Sequence, residues 1–235
     1  VKRACAGWIA VLLAVLGLTG PATAQLSIGA SMTSDYRLRG YSLSHRDPAV
    51  SASIGYDDTS GLFVDGTGIV ALHDEGWRWV GAIGAVGYAR RLHDRLAFDV
   101  GVLRAQFAPD ARTGRATGYT ELFAGVTGRS IAAHLSLSPD YLWPGTTTAY
   151  LDVEAVARPA PKWRIIGHGG MLAYLSGGPP FPISRIQHDW RVGVVREVGR
   201  VDLELSLAAG GPDEDYYDFA PHAKTALVGT VRLAF

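Results

Sequence analysis

Alternation with a period of two constrains this chain more than any other feature. In Val201-Asp202-Leu203-Glu204-Leu205-Ser206-Leu207 every odd position is aliphatic and every even position is polar. Successive side chains of a strand point to opposite faces, so the segment has one apolar face and one charged face. The pattern recurs along the chain. Ile131, Ala133, Leu135 and Leu137 alternate with His134, Ser136 and Ser138. Leu96, Phe98, Val100 and Val102 alternate with Ala97, Asp99 and Gly101, and Ala149, Leu151, Val153 and Ala155 with Tyr150, Asp152 and Glu154. At the end, Leu227, Gly229, Val231, Leu233 and Phe235 share one parity against Thr230 and Arg232. No helical period competes with this alternation after Gln25.

The pattern predicts strands over 26–39, 48–56, 62–72, 77–91, 96–106, 117–128, 131–141, 147–157, 163–173, 188–196, 201–209 and 223–235. Their lengths sit near the roughly 9–11 residues that a tilted strand needs to cross a bilayer. An even count suits a barrel with both chain ends on one side. The connections separate a membrane barrel from a soluble sandwich. With a periplasmic N-terminus, the periplasmic connections are 57–61, 92–95, 129–130, 158–162 and 197–200, all short. The extracellular ones include 108–116, 139–145, 174–187 and 210–222, which are mostly longer. Short turns on one side and long loops on the other characterise outer-membrane barrels, and a sandwich has no reason for them. The expected fold class is therefore all-β: a transmembrane antiparallel up-and-down β-barrel of about 12 strands, filling residues 25–235 as one domain.

Composition agrees with that geometry. Hydrophobic residues make up 48% of the chain and charged residues only 19%, yet beyond the first twenty residues no long apolar run accounts for them. Lys+Arg and Asp+Glu are both 22, so the basic excess of a nucleic-acid binder is absent. Residues 1–24 read as a cleavable signal peptide: Lys2 and Arg3, an apolar stretch from Trp8 to Leu18, then Ala22-Thr23-Ala24 before Gln25. Cys5, the single cysteine, lies in that leader. A mature chain without cysteine excludes disulfides, Cys-ligated zinc and a thiol nucleophile.

Aromatic residues gather near the predicted strand ends, namely Tyr36, Tyr41, Trp77, Trp79, Tyr88, Tyr141, Trp143, Tyr150, Trp163, Tyr174 and Trp190. Amphipathic rings favour the lipid–water interface, so they are expected to form two girdles. Phe235 ends the chain at the outward parity of its strand, as an insertion signal for the barrel-insertion machinery would.

Ser34-Asp35-Tyr36-Arg37-Leu38-Arg39-Gly40-Tyr41-Ser42-Leu43-Ser44, followed by Asp47-Pro48-Ala49-Val50, Tyr56 and Ser60-Gly61-Leu62, resembles the opening of a proteobacterial outer-membrane family. These are the TorF-type porins, or Gcw_chp proteins. The resemblance is specific over residues 34–64. Leu38 stands where the family has Phe, and the segment after Gly61 lacks a Trp-Ser-Asn motif. The resemblance implies a porin-like barrel in the bacterial outer membrane.

Parity places Asp35, Arg37 and Arg39 on the lumenal face of the first strand, because Tyr36 and Leu38 continue its apolar face. The other lumenal candidates are Asp65, Asp99, Glu121, His134, Asp152, Glu154, Arg191, Asp202, Glu204 and Arg232. Asp202 and Glu204 are positioned to pair with Arg232 and Arg191. Two readings compete. In one, an acidic arc (Asp152, Glu154, Asp202, Glu204) faces a basic arc (Arg37, Arg39, Arg191, Arg232) across a channel for small polar solutes or ions, with Phe181 folding in as a constriction. In the other, the same charges form a salt-bridge network filling the lumen of a structural or adhesive barrel.

A hydrolase reading finds little support. His134 and Ser136 share a lumenal face, there is no Gly-x-Ser-x-Gly elbow, and the histidines lack metal-ligand spacing. The 213–218 acidic run has oxygen ligands but no calcium-loop spacing. The expectation is therefore a non-enzymatic, monomeric channel without cofactor or metal. Its partners would be outer-membrane lipid, lipopolysaccharide and the insertion machinery, and not nucleic acid.

Overall fold

A computed structural model of the chain describes residues 25–93, 95–109, 117–178, 184–211 and 224–234. The leader 1–24, Phe181, the 213–218 acidic run and Phe235 lie outside the described residues.

The strands are β1 (Gln25–Thr33), β2 (Arg37–Leu38), β3 (Tyr41–Ser42), β4 (Ala49–Asp57), β5 (Leu62–His73), β6 (Gly76–His93) and β7 (Leu96–Phe107). They continue as β8 (Gly118–Thr127), β9 (Ile131–Ser138), β10 (Thr147–Ala160), β11 (Trp163–Ser176), β12 (Ile186–Val198), β13 (Val201–Gly210) and β14 (Thr225–Ala234). All but β2 and β3 form one closed antiparallel barrel of twelve strands in sequential order. Closure comes from β1, which pairs with β4 on one side and with β14 on the other, Gly29 facing Ala234 and Thr33 facing Thr230.

The two faces of the wall are chemically opposite. In β13, Leu203, Leu205 and Leu207 are 44%, 56% and 42% exposed on the outside, whereas Asp202, Glu204 and Ser206 are buried inside. Leu135 and Leu137, Leu151 and Val153, and Val192 and Val194 are exposed in the same way. A water-soluble protein would bury this aliphatic surface. A barrel bathed in lipid turns it outward and keeps its polar residues within.

The start of β1, the end of β14 and the β4–β5 turn share one end of the barrel. At the β4–β5 turn, Asp58 accepts from the Ser60 amide at 2.9 Å, and hydrogen bonds from Ser60 hold its carboxyl below the usual carboxylate range. Gly61 donates to the Asp58 carbonyl at 3.0 Å.

The predicted spans match the barrel closely except at two places. The first strand ends at Thr33, not Arg39, and the seventh barrel strand ends at Ser138, not Tyr141. Both departures occur at the loop end, where the chain turns into the barrel through left-handed residues. Arg39 has φ 50°, Gly40 φ 81° and Leu142 φ 60°, and extended backbone cannot contain such residues.

That inward turn also corrects the girdle expectation. Trp77, Trp79, Trp163 and Trp190 do face outward and are exposed. Tyr41, Tyr141, Tyr150 and Tyr174 are instead buried inside. Together with Leu43, Leu103, Phe107, Tyr119, Leu142 and Leu172 they form an apolar cluster, and Tyr36, Leu38 and Trp143 pack against it. Inturned connections build the apolar core of this barrel at its mouth.

Candidate functional site

The segment between β1 and β4 folds into the barrel, and it carries most of the motif singled out in the sequence. Its β2–β3 hairpin pairs Arg37 with Ser42 and Leu38 with Tyr41. The connecting residues are Arg39 and Gly40, both at positive φ, as a two-residue hairpin turn requires. Gly40 also approaches another chain segment closely, because a Cβ there would overlap the backbone of Gly210 and Gly211. The motif's remaining polar groups lock the hairpin. Asp35 accepts from Ser42 Oγ at 2.5 Å and from Arg37 Nη1 at 2.9 Å. Arg37 Nη2 donates to the Gly40 carbonyl at 2.6 Å, and the Tyr36 amide donates to Ser44 Oγ at 2.9 Å.

Arg39 reaches across to β8. Its two terminal nitrogens donate to Glu121 Oε1 and Oε2 at 2.8 and 2.7 Å, the fork geometry that suits a guanidinium. Its guanidinium carbon lies 3.9 Å from the Tyr150 ring centroid, 5.3 Å from Tyr119 and 5.4 Å from Tyr141. Burial alone would lower the Arg39 pKa, but the Glu121 carboxylate and the neighbouring tyrosines outweigh it, and the net shift is upward. Arg39 is a permanent cation in an acidic, aromatic seat.

Beside the hairpin lies a cavity of about 270 Å³. Every lumenal candidate named from the sequence touches it except Asp202. Asp35, Arg37 and Arg39 arrive there from the hairpin and not from a wall strand. Asp65 comes from β5, Asp99 from β7, Glu121 from β8, His134 from β9, Asp152 and Glu154 from β10, Arg191 from β12, Glu204 from β13 and Arg232 from β14. Asp202 also points inward, on β13, where it accepts from Arg164 at 2.6 Å.

The opposed acidic and basic arcs are not what the structure contains. Each arginine of the expected basic arc sits against a carboxylate: Arg37 on Asp35, Arg39 on Glu121, and Arg232 and Arg191 on Glu204 at 2.5 and 3.7 Å. The expected pairing of Glu204 with both arginines is present, whereas that of Asp202 is replaced by Arg164. Tilted strands bring residues two strands apart into reach, which parity alone does not encode.

The remaining charge forms a ladder on the β7–β12 wall. By register, Asp99, Gly125, His134, Asp152, Gly170 and Asp189 make one row across six strands. His134 lies 3.6 Å from both Asp99 and Asp152. Gly125 makes room for this ring, because a side chain there would occupy its space. One step along the strands, His168 contacts Glu154 through Nδ1 and Asp189 through Nε2, the latter at 2.7 Å. Tyr150 donates to Asp189 Oδ2 at 3.1 Å.

His168, Asp189 and Tyr119 are site residues that the sequence did not single out, and Tyr150, read there as a girdle aromatic, is a fourth lumenal group. Gly167 and Gly169 flank His168 and hide its alternation. Its shared parity with Arg164 and Tyr174 is the signal that could have found it.

Comparison with known proteins places these observations. No curated protein matches the chain in sequence. Among solved structures, a NanC porin aligns with a TM-score of 0.52 at 8% identity, covering 89% of this chain and 98% of its own. The COG4313 outer membrane channel from Pseudomonas putida F1 aligns at 0.46 and 12% identity, covering 92% and 96%. An anion-selective porin from Comamonas acidovorans aligns at 0.42 and 10% identity, covering 91% and 99%. The NanC porin shares the fold alone at this identity. A family model described as bacterial protein of unknown function matches residues 18–226, and the chain belongs to this Gcw_chp family.

Proposed function

We propose that the protein is a bacterial outer-membrane channel through which small polar solutes or ions diffuse passively, with the inturned 34–48 segment narrowing the bore. The observation that carries this reading is the cavity inside a lipid-facing barrel, whose lining brings carboxylates, guanidiniums and imidazoles together beside apolar groups such as Ile83 and Leu103. A soluble solute finds there the hydrogen-bonding groups and charges it loses on leaving water. The NanC porin likeness supports the barrel fold. The transport reading rests on the lumen. No covalent step and no cofactor enter it.

Purified protein refolded into a planar bilayer should give stepwise conductance above the lipid background. Conductance indistinguishable from lipid alone would refute the channel. The second reading, a filled structural barrel, is favoured by the apolar cluster at the mouth, where Tyr41, Leu43, Tyr141 and Leu142 are buried. The same recording decides between the two.

A further inference from the structure

We infer that the lumen selects cations, and that the wall bearing Asp99, His134, Asp152, Glu154, His168 and Asp189 is the surface along which they pass. This rests on the channel reading and adds the charge class of the solute.

The inference follows from the balance of charge in the cavity. Among the described residues, nine carboxylates line it against four guanidiniums and two imidazoles. Counted by formal charge, the lining is net negative even with both rings taken as cations. Position matters as much as number. All four guanidiniums lie within 3.7 Å of a carboxylate, so each presents a dipole rather than a bare positive charge to a passing ion. The excess negative charge is on the β7–β12 wall, whose one lining arginine, Arg191, lies beside Glu204. There, two histidines stand between four carboxylates. Asp99 is 1% exposed, and neither of its oxygens has a hydrogen-bond partner among the described residues. Asp65 lines the same cavity. Low-dielectric walls concentrate such a field. A mean potential of one thermal unit already enriches monovalent cations over anions about seven-fold.

Arg39 shows what this lumen accommodates. The side chain that the protein places there is itself a cation, held by Glu121 and three tyrosine rings.

The experiment is the zero-current potential of the wild-type channel under a KCl gradient. A potential of the sign that marks potassium as the more permeant ion is expected. Asp99→Asn with Asp152→Asn should move it toward zero. Asp65→Asn should do so by less, and it is the milder variant to fold because it breaks no ion pair among the described residues. Glu204→Gln frees two arginines and should move it the same way. Steady conductance with chloride preference, or with no preference, overturns the inference and leaves the channel reading intact. A complete lack of conductance overturns both. A wild-type cation preference that survives Asp99→Asn/Asp152→Asn and Asp65→Asn unchanged overturns the assignment to this wall.

Discussion

Cutting the Arg39–Glu121 contact should detach the first loop without dismantling the barrel. The pair makes two charge-assisted hydrogen bonds of 2.8 and 2.7 Å, with the side chains only 9% and 1% exposed. Removing one partner of a buried pair costs about 3–5 kcal/mol, because the other charge is stranded. Two effects reduce that figure here. Lumenal water can resolvate a freed Glu121, and Arg39 no longer has to occupy a left-handed conformation, which costs about 1–2 kcal/mol for a residue with a Cβ. The loss is also capped by the docking free energy of the 34–48 segment, since the twelve-stranded ladder stays paired once the hairpin lifts. About 2–3 kcal/mol of coupling is therefore expected between the two sites, roughly 30- to 150-fold in an equilibrium constant. The measurement is a double-mutant cycle of wild type, Arg39→Ala, Glu121→Ala and the double variant, by reversible urea unfolding in lipid vesicles. Each single variant should lose stability, and the double should lose much less than their sum. Single-channel conductance of Arg39→Ala should rise as the bore widens. Additivity to within about 0.5 kcal/mol, with unaltered conductance, would refute the idea that this contact holds the loop in place.

Other outcomes follow from the same geometry. Gly40→Ala places a Cβ on the Gly210 and Gly211 backbone at a φ that disfavours side chains. It should loosen the hairpin and speed tryptic cleavage after Arg37 or Arg39, and unchanged cleavage would mean that the hairpin is not held by this approach. Leu205→Arg puts a charge on the lipid face and should cost about 2–4 kcal/mol in vesicles if it lies at mid-bilayer. Thr67→Arg points into the cavity and should cost clearly less; equal costs would contradict the assignment of faces. Arg232→Glu sets a like charge against Glu204, now 2.5 Å from the guanidinium. It should destabilise the barrel by about 3–5 kcal/mol and be partly rescued by Glu204→Arg; no rescue would place the effect elsewhere.

The wall was legible because lipid on one face and water on the other impose a strict period. Val201 to Leu207 states it residue by residue, and β13 runs where that alternation runs. The same signal misled at Asp35 to Arg39. Tyr36 and Leu38 pack on the mouth cluster while Asp35, Arg37 and Arg39 bond elsewhere, so a folded-back loop imitates the two faces of a strand. The break lies in backbone conformation at Arg39 and Gly40, and a polar–apolar pattern carries no record of φ for a non-glycine residue. The tyrosines failed as girdle markers because burial inside a barrel and residence at a lipid interface select the same amphipathic ring. Inward direction was recovered for Asp99, His134 and Asp152, and the partners of Glu204 with it, but not the partner of Asp202. Arg164 reaching Asp202 across β12 depends on strand tilt and side-chain length, and neither is written in the period.

The Arg39 contact also says something about the order in which the molecule is made. Glu121 lies 82 residues along the chain from Arg39, and Tyr150 lies further still. Neighbouring barrel strands meet through much shorter separations, apart from the β1–β14 seam. Contacts between distant parts of a chain form late, because their loop-closure entropy must be met first. The seat for Arg39 exists only when β8 and β10 stand side by side with the strands between them. By that measure the first loop synthesised among the described residues settles only after the strand pairs from β4 to β10 have formed.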